Sequence, residues 1–88
     1  MARYDMAFDE TTHAAAGGTT DALFELGLQY SAGRGVAMDL VEAHKWFNLS
    51  AMRGNEAAKT WRVELAREMS REEIATAQRL AREWLSRH

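Results

Sequence analysis

Apolar residues recur along this chain at helical spacing, three and four positions apart, and strand-like alternation is missing. Between Thr20 and Ala32, the residues Ala22, Leu23, Leu26, Gly27 and Tyr30 share one face, and Phe24 and Leu28 widen it. A helix apolar around most of its circumference predicts neighbours on both sides. Thr20 or Asp21 is its expected N-terminal cap, and Gly33 its expected stop, because left-handed backbone costs glycine no clash. A second run, Leu40 to Arg53, collects Leu40, Ala43, Phe47, Ser50 and Ala51, with Trp46 and Leu49 on the flank. Asp39 and Glu42 open it: the first carboxylate accepts from first-turn amides, the second favours the positive helix end. Gly54-Asn55 predicts a tight corner, with Asn55 capping a third helix over 56–69 whose inward residues are Ala58, Trp61, Leu65 and Met69. Ser70 and Glu73 form a capping box ahead of a fourth helix, Arg71 to Ser86, with Ile74, Ala77, Leu80, Ala81, Trp84 and Leu85 on one face. Arg79 with Glu83, and Glu83 with Arg87, are spaced as ion pairs on that helix. A shorter helix over Asp5–Ala16, ended by Gly17-Gly18, is the weakest element, and residues 1–4 are expected to fray.

Composition narrows the class. The 88 residues suit one small domain, 47% apolar and 27% charged, with neither proline nor cysteine. Without cysteine there are no disulfides, thiolate metal sites or cysteine nucleophiles, which fits a reducing cytoplasm. The N-terminal stretch shows no secretory signal, and no segment approaches the roughly 20 apolar residues of a membrane span. Net charge is −2, which disfavours nucleic acid as a partner of the whole chain. The charge is uneven: residues 1–42 carry two basic and seven acidic side chains, and residues 43–88 carry nine basic and six acidic. That polarity fits either head-to-tail contact between copies or neutralisation within one monomer.

Candidate chemistry is sparse. Gly33-Arg34-Gly35-Val36 could suggest a phosphate loop. Such loops follow a strand and carry Lys-Ser or Lys-Thr, whereas this one follows a helix and meets Asp39. His44 has no histidine or carboxylate four residues away, and His13 and His88 lie near the termini, so solvated or edge-packed histidines are expected and no metal. Glu72 and Glu73 open a helix, where carboxylates answer the dipole. No serine stands in a nucleophile-elbow context. The sequence therefore predicts neither catalysis nor a cofactor. Trp46 and Trp84 read as core. Trp61 admits two readings, core packing or a partner contact, since tryptophan is enriched in binding hot spots.

The stretch "ALFELGLQYSAGRGVAMDLVEAHKWFNLSAMRGNEAA", residues 22–58, resembles one unit of the Sel-one-like repeat, a relative of the tetratricopeptide repeat. The resemblance rests on Ala22, Leu26-Gly27, Tyr30, Gly33-Arg34-Gly35-Val36, Asp39, Ala43, Trp46, Ser50-Ala51, Gly54 and Ala58. Residues 14–22, "AAAGGTTDA", echo 50–58, "SAMRGNEAA", with Gly18 and Gly54 thirty-six positions apart, a helical-repeat period. The ending "MSREEIATAQRLAREW" looks like the tail that often closes bacterial members of the family. After Ala58 the chain departs: Trp61, Arg62 and Val63 stand where asparagine-like, leucine and glycine positions fall in the pattern.

The resemblance implies a single domain over 1–88, an all-α right-handed stack of antiparallel helix pairs, an α-solenoid of about two repeats. Residues 1–18 would end one unit, 20–54 form a full unit, and 55–88 form a divergent closing pair. In such a stack Gly27 lets a neighbouring helix approach, with Tyr30 and Trp46 filling the space beside it. The implied function is a non-catalytic adaptor or scaffold that binds a partner protein or peptide. Trp61, Arg62, Leu23 and Gln29 are the candidate partner-binding residues, and a homodimer is one way of sealing so short a stack. Two other readings stand beside it: a small nucleic-acid-associated regulator using the arginines of the last helix, and a dedicated modulator of one enzyme or membrane complex.

Overall fold

A computed structural model describes residues 19–87 of the protein. The helix expected over Asp5–Ala16, together with His13 and His88, lies outside the described residues. Within them the chain is all-α, with four helices: α1 (Thr20–Ala32), α2 (Leu40–Met52), α3 (Glu56–Ala66) and α4 (Arg71–Arg87).

Local hydrogen-bond chemistry sets most of the ends. Gly33 stops α1 at φ 69°, and both its N–H and that of Arg34 donate to the Gln29 carbonyl. Asp39 caps α2 by accepting from the Glu42 amide at 3.1 Å. Gly54, at φ 101°, turns the corner, and Asn55 Oδ1 accepts from the Ala58 amide at 2.9 Å to start α3. Ser70 and Glu73 bond reciprocally: the Ser70 amide donates to Glu73 Oε1 at 2.8 Å and the Glu73 amide to Ser70 Oγ at 3.1 Å. Two boundaries differ from expectation. The cap of α1 is Thr19, whose side chain makes no capping bond; Thr20 is already helical, and its carbonyl accepts from Ser50 Oγ at 2.9 Å. Helix α3 ends at Ala66, three residues early. The amides of Arg67, Glu68 and Met69 there donate three residues back, to Glu64, Leu65 and Ala66. This tighter winding brings the chain round to the Ser70 box.

The larger correction concerns which helix is central. The pattern of residues 20–32 predicts a helix enclosed on both sides. That place belongs to α2, where Ala43, His44, Trp46, Phe47, Leu49, Ser50 and Ala51 are all buried, while α1 buries Leu23, Leu26 and Gly27. Helix α1 keeps Asp21 and Glu25 in solvent. It lies antiparallel to α2, tied by Ser50 to Thr20 at one end and by the Asp39 amide to the Tyr30 carbonyl at the other. Helices α3 and α4 each pack on α2, and no other pair of described helices packs closely. The expected closing pair over 55–88 is therefore two helices sharing one support rather than a pair packed on itself.

The core divides accordingly. On one side Leu23, Leu26, Trp46 and Leu49 meet Ala81, with Trp84 packed against them. On the other, Ala43, Phe47 and Ala51 meet Ala58 and Leu65, with Phe24, Leu28 and Met69 around them. Leu85, expected inward, is 36% exposed. Ala77, Ala81 and Trp84 carry the contact of α4 with the core, and Leu85 stands at the edge of that face.

Gly27 shows its purpose here. A Cβ built on it would run into the Phe47 ring, so the absent side chain makes room for a fully buried aromatic ring. Close approach at Gly27 is thus real, and the ring nearest to it is Phe47, a residue the expectation of Tyr30 and Trp46 did not include.

Candidate interaction groove

Phe47 organises one side of the molecule. Pressed against Gly27, it packs at 5.6 Å and 50° on Phe24 and stacks at 5.7 Å and 22° on Trp61. Such ring pairs contribute about 0.5–1.5 kcal/mol beyond the area they bury. The stack fixes Trp61 on α3 while leaving it 44% exposed. Trp61 is therefore packed on one side without being enclosed as core, and it presents apolar surface to solvent.

Beside that surface a groove of about 460 Å³ runs between the last turn of α1, the loop into α2, and α3. Leu28, Leu40 and Leu65 give it a buried to half-buried apolar lining, and Trp61 and Met38, the latter 65% exposed, flank it. Two charged side chains, Arg34 and Glu68, also line it. Arg34 lies 3.7 Å from Glu25, with both side chains about half exposed, an arrangement of small energetic worth.

The other candidate residues are scattered. Leu23 is 0% exposed, enclosed between α1, α2 and α4, and offers a partner no surface. Its place on the same stripe as Leu26 made it core. Gln29 is half-buried, and its Oε1 has no hydrogen-bond partner among the described residues. Arg62 is half-buried and donates through Nη1 to Asn48 Oδ1 at 2.7 Å, clamping α3 to α2. Only Trp61 of the four lines the groove. Sequence reasoning missed Met38, Leu40, Leu65 and Glu68 as neighbours, because they come from three segments and no local pattern joins them. Leu28, which widened the stripe of α1 past one face, was the signal available.

His44 is another correction. Expected to be solvated or edge-packed, it is 3% exposed, with Nδ1 lacking a hydrogen-bond partner among the described residues. Burial first, and the nearby Arg62 guanidinium second, lower its pKa from 6.5, so the imidazole is neutral at neutral pH. Among the described residues no group of three or more histidines and carboxylates could hold a metal ion. No described helix is long and apolar enough to cross a membrane.

The arginines of α4 offer a second surface. Arg71, Arg79, Arg82 and Arg87 are exposed, but Glu72 and Glu73 stand in the first turn and Arg79 lies 3.1 Å from Glu83. No protein-family model, curated protein or solved structure matches this chain.

Proposed function

We propose that this protein is a non-catalytic interaction module that holds a segment of a partner protein in the groove beside Trp61. The observation that carries the reading is the half-open tryptophan, immobilised on Phe47 with an apolar trough next to it. Tryptophan held rigid at the edge of a desolvated pocket supplies large contact area at little entropic cost. We read α1 and α2 as one Sel-one-like unit of a right-handed solenoid stack, with α3 and α4 as its divergent closing helices. On that reading Gly27, Tyr30, Trp46 and Ala58 serve packing, and specificity lies in residues such as Trp61 that depart from the repeat pattern. The module needs no cofactor.

The test is selection of peptides from a random display library on the protein, with Trp61→Ala and Met38→Asp as counter-targets. Peptides that bind the parent and lose at least tenfold on both variants support the reading; peptides indifferent to both substitutions refute it. The four exposed arginines of α4 keep a nucleic-acid role as the competing reading. Oligonucleotide binding that weakens steeply with salt and is lost in Arg79→Glu/Arg82→Glu would favour it.

A further inference from the structure

We infer that the groove receives an amphipathic α-helix of the partner, with two large apolar side chains one turn apart, an acidic residue facing Arg34 and a basic residue facing Glu68. This rests on the groove being the interaction site and adds the conformation and chemistry of its occupant.

The first argument is what the walls do not offer. A peptide that binds as an added strand needs open backbone donors and acceptors along an edge. No strand is present among the described residues, so no sheet edge borders the groove, and the carbonyls at the ends of α1 and α3 beside it are largely engaged. The Gln29 carbonyl accepts from Gly33 and Arg34, and the Tyr30 carbonyl accepts from Asp39 at 3.0 Å. At the end of α3 the carbonyls of Glu64, Leu65 and Ala66 accept from the three amides that follow. Recognition must therefore run through side chains. Polyproline segments dock between successive aromatic rings, and Trp61 is the one aromatic residue lining this groove. A helix that projects apolar side chains three and four residues apart from one face remains, its own backbone satisfied internally.

The second argument is charge complementarity. The lining is mostly aliphatic, so the two charges that border it set orientation. Arg34 is held only by an exposed contact with Glu25, which an incoming carboxylate can replace. Glu68 is exposed and has no ion pair among the described residues. One positive and one negative group beside an apolar trough favour an occupant carrying both signs and repel one of a single sign. A polyanion such as nucleic acid meets Glu25 and Glu68 beside mostly apolar walls.

The test uses one Trp61-dependent peptide from the selection, synthesised in three forms: unchanged, with a central residue replaced by proline, and with its acidic and basic positions exchanged. Affinities are read by fluorescence anisotropy against the whole chain, with circular dichroism confirming that each protein variant is folded. The proline form is expected to bind at least tenfold more weakly. The exchanged form is expected to lose several-fold and to regain it on the Arg34→Glu/Glu68→Arg variant. A Trp61-dependent peptide that tolerates proline, or is rich in proline, overturns the helical occupant while the groove stands. An exchanged form that binds as well as the original overturns the charge assignment. Failure to recover any peptide dependent on Trp61 and Met38 removes both the inference and the function beneath it.

Discussion

Two tryptophans, one on each side of α2, meet opposite fates. Trp46 is 4% exposed; its indole N–H donates to Glu42 Oε1 at 3.1 Å, and its ring meets Trp84 edge-on at 5.6 Å, 81°. Lys45 Nζ sits 4.2 Å over that ring and 2.9 Å from the same Glu42 oxygen. Trp61 stacks flat on Phe47 and keeps nearly half of its surface in solvent. The first is closed in by α4 and by its own helix's polar side chains. The second is held from beneath and left open above. The same residue type thus builds core on one side and displays a surface on the other, and what covers it decides which.

The contrast is broken most severely by removing the shared support. Phe47→Ala is expected to cost about 3–5 kcal/mol, measured by urea denaturation, because a fully buried ring leaves a cavity under both Phe24 and Trp61. In so small a domain that loss is a large part of the total stability. Trp61→Ala is expected to cost about 1–2 kcal/mol, the stacked pair together with the ring surface it covers and well short of Phe47→Ala, and at least tenfold in peptide affinity. A stability loss equal to that of Phe47→Ala would make Trp61 core. Gly27→Ala comes next. Helix propensity alone would stabilise it by about 1 kcal/mol, whereas the clash with Phe47 costs roughly 1–3 kcal/mol, so a net loss of about 1 kcal/mol is expected. A net gain would show that the ring yields freely.

The smallest effect is a pH dependence. His44 is held neutral, so its folded pKa lies below its unfolded value of 6.5, and between the two the unfolded chain binds more protons. Stability is therefore full above pH 6.5 and declines as pH falls from 6.5 toward the folded value. Denaturation midpoints at pH 7.5 and 5.5 should differ less in His44→Asn than in the parent, since His13 and His88 are common to both. Parallel profiles would contradict the burial of a neutral imidazole.

The helix ends were legible because they are local: Gly33, Asp39, Asn55 and the Ser70–Glu73 pair each act within four residues. The core face of α2 was legible from its spacing. Its central position was not, because α1 carries a comparable apolar stripe and periodicity does not say how many neighbours a helix has. Gly27 was legible as a point of close approach, yet the ring that fills it, twenty residues on, was not. His44 looked exposed for want of a nearby ligand partner; its burial follows from sitting beside Ala43 and Phe47 where α3 closes over α2. The groove was least legible of all, since Leu28, Met38, Leu40 and Leu65 become neighbours only when three segments fold together.

The unequal fates of the two tryptophan faces are tested most directly by mapping amide and indole NMR shifts as a Trp61-dependent peptide is added. Perturbations confined to Trp61, Leu28, Met38, Leu40 and Leu65, with the Trp46 and Trp84 indoles unmoved, are the expected result. Shifts centred on Trp84 and the arginines of α4 would contradict it.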